Sequence, residues 1–177
     1  ELRELILRPY VDSTTCQNLL RHPEAVFHVT DDSLLFARAV TRRLHETPIA
    51  LLPATVIQGR RLVDTCRWHE VRIREIDDSQ SRLEMRAEVV YTGRQSEWRG
   101  FNRAGAAVIE AAILATRLHI LSADAIASQM QQLAVIVEKT ASEHERMAFD
   151  MLQDYIQDCW QTPPPRPGVE IGGKRDD

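Results

Sequence analysis

The residues best suited to chemistry lie in one run near the start of the chain, Arg8-Pro9-Tyr10-Val11-Asp12-Ser13-Thr14-Thr15-Cys16-Gln17-Asn18-Leu19. An arginine closes an apolar, strand-like stretch, a proline ends it, and hydroxyl and carboxylate residues open a helix. Asp and Ser are favoured at helix starts because their oxygens accept otherwise orphaned N–H groups. The N–H groups left over, together with the helix dipole, attract anions. Ser13, Thr14 and Thr15 beside the Arg8 guanidinium therefore read either as a phosphate cradle or as an ordinary cap with a solvated arginine. Local chemistry alone favours the ordinary cap.

Other candidates are thinner. The six histidines show no metal-ligand spacing, and the pair His69-Glu70 is not a site by itself. His28 sits in a β-prone run and reads first as a core histidine. Cys16, Cys66 and Cys159 are unevenly spaced and form neither a disulfide framework nor a Cys-x-x-Cys site. No Ser/His/Asp triad, P-loop or dinucleotide-binding glycine pattern is present. Arg103, Glu110 and Arg117 recur every seven residues on an otherwise apolar helix. That stripe fits a solvated face, an ion-pair ladder across a dimer, or the wall of an anionic-ligand site. Arg103 is the member best placed to reach a ligand. Trp68, Trp98 and Phe101 are aromatic enough to stack on a ring system, although burial is the commoner fate of such residues.

These residues need elements to hold them. Residues 2–8 read as a strand, 14–21 as a short helix capped by Asp12 or Ser13, 25–30 as a strand, and 34–40 as a second short helix capped by Asp31 and Asp32. Residues 45–61, with two prolines and a glycine, read as a long connection. In 68–76 and 83–91 apolar and charged residues alternate with a period of two, as in antiparallel strands with one wet face, and 77–81 (DDSQS) is the turn that joins them. The pattern turns helical after Gly100. A helix over 101–121 is followed by one capped at Ser122, and a third opens at a capping box, either Thr140-x-x-Glu143 or Ser142-x-x-Glu145. Residues 161–177, rich in Pro, Gly and charge, read as a disordered tail. The expected organisation is a β domain over 1–100, a helical cap or dimerisation segment over 101–160, and the tail.

Composition narrows the function classes. The chain has 177 residues and a net charge of −4, and all 22 basic residues except Lys139 and Lys174 are arginine. An acidic balance without a clustered positive field argues against nonspecific nucleic-acid or membrane-surface binding. No apolar run approaches the roughly 20 residues of a membrane span. The expectation is a soluble, cytoplasmic protein that binds neither nucleic acid nor membrane.

Three segments carry a family likeness: RPY-x-x-S-x-T-x-x-NL from Arg8, VTDD-x-LLF from Val29, and FNRA-x-x-AVIEAAILATRLHIL from Phe101. Together they resemble the FMN-binding split-barrel flavoproteins of the flavin reductase and flavoredoxin type. The greatest similarity is to an uncharacterised domain-of-unknown-function family of methanogenic archaea and tetrahydromethanopterin-using bacteria. The likeness spans roughly residues 5–125. It implies an α+β fold, an antiparallel split β-barrel followed by a C-terminal helical segment. It also implies FMN held in a homodimer near the subunit interface.

By position, Arg8, Ser13, Thr14 and Thr15 would take the phosphate, Asn18 would support the turn, and His28 and Arg103 would lie near the cofactor. Many relatives have Asn where His28 falls, and they begin with a strand pair that this chain lacks. The implied activity is an FMN-dependent oxidoreductase, with a link to tetrahydromethanopterin-dependent one-carbon metabolism as context. The same residues also suit a non-catalytic module for FMN or another phosphorylated ligand, or a structural dimer without flavin.

Overall fold

The computed structural model describes residues 2–46, 48–79 and 83–161. The tail expected over 161–177 lies outside the described residues except for Gln161, and so do Gln80 and Ser81 of the expected turn. The chain divides into two compact units, Glu1–Asp32 with Leu44–Phe101, and Ser33–Arg43 with Asn102–Asp177. The fold is α+β: an antiparallel split barrel and a C-terminal helical segment.

The first unit contains β1 (Glu4–Leu7), α1 (Thr14–Arg21), β2 (Glu24–Val29), β3 (Leu51–Pro53), β4 (Arg60–Leu62), β5 (Arg67–Asp77) and β6 (Glu84–Arg94). Four strands form an antiparallel sheet in the order β1-β6-β5-β2, and β3 and β4 form a separate two-stranded ribbon. The long pair β5–β6 is the hairpin that the period-two pattern predicts. Its register slips twice, between Glu70 and Val71 and again between Ile73 and Glu75. Such bulges bend a strand and re-aim its side chains. The helix α1 lies on this sheet through Cys16 and Leu19, which are buried against Met85 with Leu7, Ala25, Ile73 and Leu83 around them. Cys16 and Leu19 are three residues apart and so share one helix face. The opposite face of α1, with Thr14, Thr15, Gln17 and Asn18, is exposed.

A second packing centre forms around Trp68. Its ring lies against Tyr91, with centroids 6.0 Å apart, and carries the Arg61 guanidinium 4.1 Å from a ring centroid. Gly93, opposite Trp68 in the β5–β6 register, makes room for it. A Cβ on Gly93 would stand 2.1 Å from Trp68 Cζ2, so only glycine fits beneath the indole.

The second unit contains α2 (Ser33–Val40), α3 (Arg103–Ala115), α4 (Ala123–Thr140) and α5 (Glu143–Gln161). Its core joins Leu34 and Ala37 of α2 to Val108 and Leu114 of α3, Ile126 and Met130 of α4, and Phe149, Leu152 and Ile156 of α5. Each fully buried Leu, Ile or Phe contributes roughly 1.5–3 kcal/mol to such a core. Thus α2, which the sequence reading put in the 1–100 segment, packs with the later helices. Five alanines of α3 are buried (Ala104, Ala107, Ala111, Ala112 and Ala115), and their small side chains admit the neighbouring helices closely.

Two caps resolve as single residues. Ser13 caps α1, and Ser142 rather than Thr140 makes the capping box of α5, its N–H donating to Glu145 Oε2 at 2.9 Å. Asp31 is spent differently from the helix cap expected of it. Its Oδ2 accepts the Arg99 N–H at 3.0 Å, and the Arg99 side chain lies 3.3 Å away. No helix among the described residues is long and apolar enough to cross a membrane.

Candidate functional site

At the start of α1 the chain turns out of β1 through Pro9 and Tyr10, and Ser13 closes the turn. The Ser13 N–H and hydroxyl both donate to the Tyr10 carbonyl, at 2.9 and 2.6 Å, and Ser13 Oγ accepts the Cys16 N–H at 3.1 Å. The proton of Ser13 is therefore committed to the backbone, which narrows the phosphate-donor set read from the sequence.

Thr14 and Thr15 are the first two helical residues. Their side chains are exposed and have no partner among the described residues, and neither N–H has an acceptor. Asn18 lies one turn further along the same exposed side, and its side chain is likewise unspent. Arg8 is paired with Glu84, its Nε and Nη2 donating to Oε2 at 3.0 and 2.8 Å. Its Nη1 has no acceptor, so half of its fork remains open. Among the described residues the helix start thus leaves two backbone N–H groups and two hydroxyls without acceptors, with the Asn18 amide one turn on and an open Arg8 edge six residues before. Such a set suits an oxyanion.

The remaining sequence-derived residues fall elsewhere. His28 is half-buried on β2, and its Nε2 accepts the Leu62 N–H at 2.9 Å, tying β4 to the sheet. Burial, with help from the nearby Arg61 charge, holds its pKa below the ordinary histidine value, so the imidazole stays neutral and keeps that acceptor. Arg103 is the first residue of α3 in the second unit and is exposed. Glu110 and Arg117 are exposed as well, and none of the three is in an ion pair among the described residues.

One functional-looking residue carries more structure than its sequence context suggests. Glu70 is fully buried in β5. Its Oε1 accepts the Thr55 N–H at 2.6 Å and Trp68 Nε1 at 3.2 Å, while its Oε2 accepts the Val56 and Ile57 N–H groups at 2.6 and 3.1 Å. Burial alone would raise its pKa. The three backbone N–H groups and the indole outweigh that and hold it below the ordinary glutamate value. Glu70 thus fixes the turn between β3 and β4.

Gln95 completes the same scaffold. Its amide bonds the Leu62 carbonyl at 3.0 Å and Thr65 Oγ1 at 3.0 Å, and its oxygen takes an N–H from Arg61. A glutamate between Trp68-His69 and Val71 of a strand is the only sequence signal for this role. The acceptor-seeking turn at 55–57 has none. His69 is also occupied, its Nδ1 lying 2.8 Å from Thr92 Oγ1. Its pKa is lowered, first by burial and then by Arg67. No group of three or more metal-ligating side chains exists among the described residues.

An antiparallel split barrel followed by a helical segment defines the class. The chain belongs to the family described as Protein of unknown function (DUF447): residues 1–96 match its N-terminal domain and residues 102–154 its second part. Among solved structures, the chain is similar to the FMN-bound protein MM1853 from Methanosarcina mazei, a DUF447 protein. The TM-score is 0.73 at 18% identity, over 85% of this chain and 80% of that one. It also matches Pseudomonas fluorescens 2-nitrobenzoate 2-nitroreductase, at 16% identity and a TM-score of 0.42, over 51% of this chain and 48% of that one. A third match is nitrilotriacetate monooxygenase component B from Bacillus cereus, at 15% identity and a TM-score of 0.41, over 53% and 54%. No curated protein matches the chain.

Proposed function

We propose that this protein binds FMN and serves as an oxidoreductase of the flavin reductase-like split-barrel type. The observation that carries the reading is the unspent donor set of Thr14 and Thr15 at the start of α1, in a family with an FMN-bound member. The residues fit the group. A phosphate monoester dianion needs several convergent N–H and O–H donors, and here they stand idle beside a half-open guanidinium. Thr14 and Thr15 hold the phosphate through hydroxyl and backbone N–H, Asn18 supports the turn, and Arg8 balances charge through Nη1 while Glu84 fixes its other edge. Ser13 acts through the cap.

FMN, when bound, supplies the electron and hydride transfer. The side chains bind and orient it and keep its phosphate end in register with the sheet. His28, His69 and Glu70 are all committed to internal hydrogen bonds, so the chain contributes no poised acid or base from these groups. That commitment also suits a second reading, a module that holds FMN without turnover.

The reading includes a homodimer. Tyr10 and Val11, next to the cradle, are 70% and 58% exposed and offer apolar surface to a partner subunit. It places the protein in the cytoplasm, in keeping with three free cysteines. It takes tetrahydromethanopterin-dependent one-carbon metabolism as the metabolic setting.

Purified protein is expected to be yellow, with absorbance near ~450 nm from oxidised flavin. A colourless protein that takes up no added FMN contradicts the flavin reading. Stopped-flow reduction by NADH or NADPH separates the enzyme from the binding module, since the module leaves its flavin oxidised.

A further inference from the structure

At the other end of α1, a cleft of about 550 Å³ opens between His22, Pro23 and Glu24 at the start of β2, Gln58 of the ribbon turn, and Arg72, Ile73 and Arg74 of β5. We propose that this cleft is a second binding site, for a small organic anion that carries a carboxylate or a phosphate monoester on an apolar body.

The open donors decide the sign. Glu24 lines the cleft, and each of its oxygens already accepts one donor of the chain, Oε1 from Arg72 Nε at 2.8 Å and Oε2 from the Gln58 N–H at 2.8 Å. Arg72 is not filled in return. Beyond Glu24 it has only a 3.5 Å contact from Nη2 to the Val56 carbonyl, which leaves Nη1 without an acceptor. Its side chain is 36% exposed, so it is held from behind and open in front. Arg74 gives Nε and Nη2 to Glu88 Oε2, at 2.7 and 2.6 Å, and also keeps Nη1 free. The His22 ring and the Gln58 amide have no internal partner.

The lining therefore presents open donors from four side chains, with the charge of each arginine offset by a glutamate, so an anion is held there through hydrogen bonds to the open guanidinium edges. Pro23 and Ile73 supply the apolar wall. The register slip between Ile73 and Glu75 makes Arg74 the extra residue of β5, which is how neighbouring positions 72–74 all line one cleft. The volume lies in the range of small-molecule pockets.

The site is separate from the proposed phosphate cradle. His22 is the C-cap of α1 and Thr14 its first residue, about 12 Å apart along an eight-residue helix. The inference stands whether or not FMN occupies the other end.

Titration of the full chain with phenyl phosphate, benzoate and inorganic phosphate, followed by amide NMR shifts, tests it. The expected result is saturable shifts at His22, Gln58 and Ile73 with phenyl phosphate or benzoate, and weaker binding of inorganic phosphate, which lacks the apolar body. The stronger of the first two identifies the preferred head group. Arg74→Glu, at an exposed position, is expected to weaken binding about tenfold or more. Gln58→Trp fills the cleft while leaving its backbone N–H on Glu24, and is expected to abolish binding with the fold intact. Arg94→Glu, opposite Arg67 at the end of the β5–β6 pair and outside the cleft lining, is the control and leaves binding unchanged. The proposal is overturned if none of the probes gives saturable shifts at millimolar concentration. It is overturned equally if Arg94→Glu weakens binding as much as Arg74→Glu, because the effect is then general electrostatics.

Discussion

Two turns of the first unit gather backbone N–H groups in the same way and use them oppositely. In the β3–β4 turn the N–H groups of Thr55, Val56 and Ile57 converge on one carboxylate, Glu70, which is buried and accepts all three. At the start of α1 the N–H groups of Thr14 and Thr15 and their hydroxyls have no acceptor among the described residues. The first turn carries its own anion and is scaffold. The second lacks one and is available. Buried donors must be satisfied internally, so the Glu70 cluster reports on stability, whereas the exposed donors of α1 are met by water and are open to exchange it for a ligand.

Substitutions in the two turns should therefore fail in different assays. The largest loss is expected from Glu70→Gln, which removes the charge and points an amide N–H₂ at the donor cluster. About 3–5 kcal/mol of stability should disappear, as when one member of a buried charged network is deleted, measured as a fall in denaturation midpoint. Next comes Gly93→Ala, whose Cβ would collide with Trp68. Displacing the indole from Glu70 and Tyr91 should cost about 3 kcal/mol, again in denaturation, with near-UV circular dichroism reporting the Trp68 environment.

Thr15→Val is the opposite case. Melting should be unchanged while FMN affinity falls by about 1–3 kcal/mol, read by quenching of flavin fluorescence. A large loss of stability in Thr15→Val, or normal stability in Glu70→Gln, would erase the distinction. Arg8→Ala should weaken FMN by about 1 kcal/mol and flatten the salt dependence of binding, because Glu84 already takes part of its charge.

The smallest effect is the loss of stability that the two histidines cause at mildly acidic pH. The pKa values of His28 and His69 are held below the histidine value of 6.5, so the unfolded chain takes up protons there before the folded one. Stability is complete above that value and falls as pH drops through the lower folded values. A second loss follows below the glutamate value of 4.5, where Glu70 protonates and its N–H partners are orphaned. Urea midpoints across pH should show both steps, and His28→Leu should remove part of the first.

Much of this molecule is legible in its sequence. The alternation of Val71 and Ile73 with charged residues, and of Met85 and Ala87 with Arg86 and Glu88, marks the β5–β6 hairpin, because a half-wet sheet requires that period. Helices α1, α4 and α5 follow from caps and apolar spacing. The ribbon does not follow. Leu51, Leu52 and Pro53 are all exposed, so no alternation marks β3, and the turn beyond it is set by Glu70 from a strand 13 or more residues away.

The end of α3 is also hidden. The apolar pattern runs on to Leu121, but the helix stops at Ala115, where Thr116 Oγ1 bonds the Ile113 carbonyl at 2.7 Å and the Arg117 N–H turns to Leu114. At the site, the hydroxyl run was visible as a cradle or a cap, and the geometry divides those roles among neighbours. Ser13 is the cap, and Thr14 and Thr15 are the open donors. No sequence pattern distinguishes them, since the division depends on which carbonyl the turn at Pro9 and Tyr10 presents.

The central claim is that the start of α1 recognises a phosphate, and comparing FMN with riboflavin, its dephosphorylated form, tests it most directly. Dissociation constants for both ligands on the native chain and on Thr15→Val isolate the phosphate contribution. The account predicts that FMN binds the native chain at least about 100-fold more tightly than riboflavin, the worth of two charge-assisted hydrogen bonds. It also predicts that Thr15→Val narrows that gap by about the worth of one such bond while leaving riboflavin affinity unchanged. Equal affinity for the two ligands, or a gap untouched by the substitution, would contradict it.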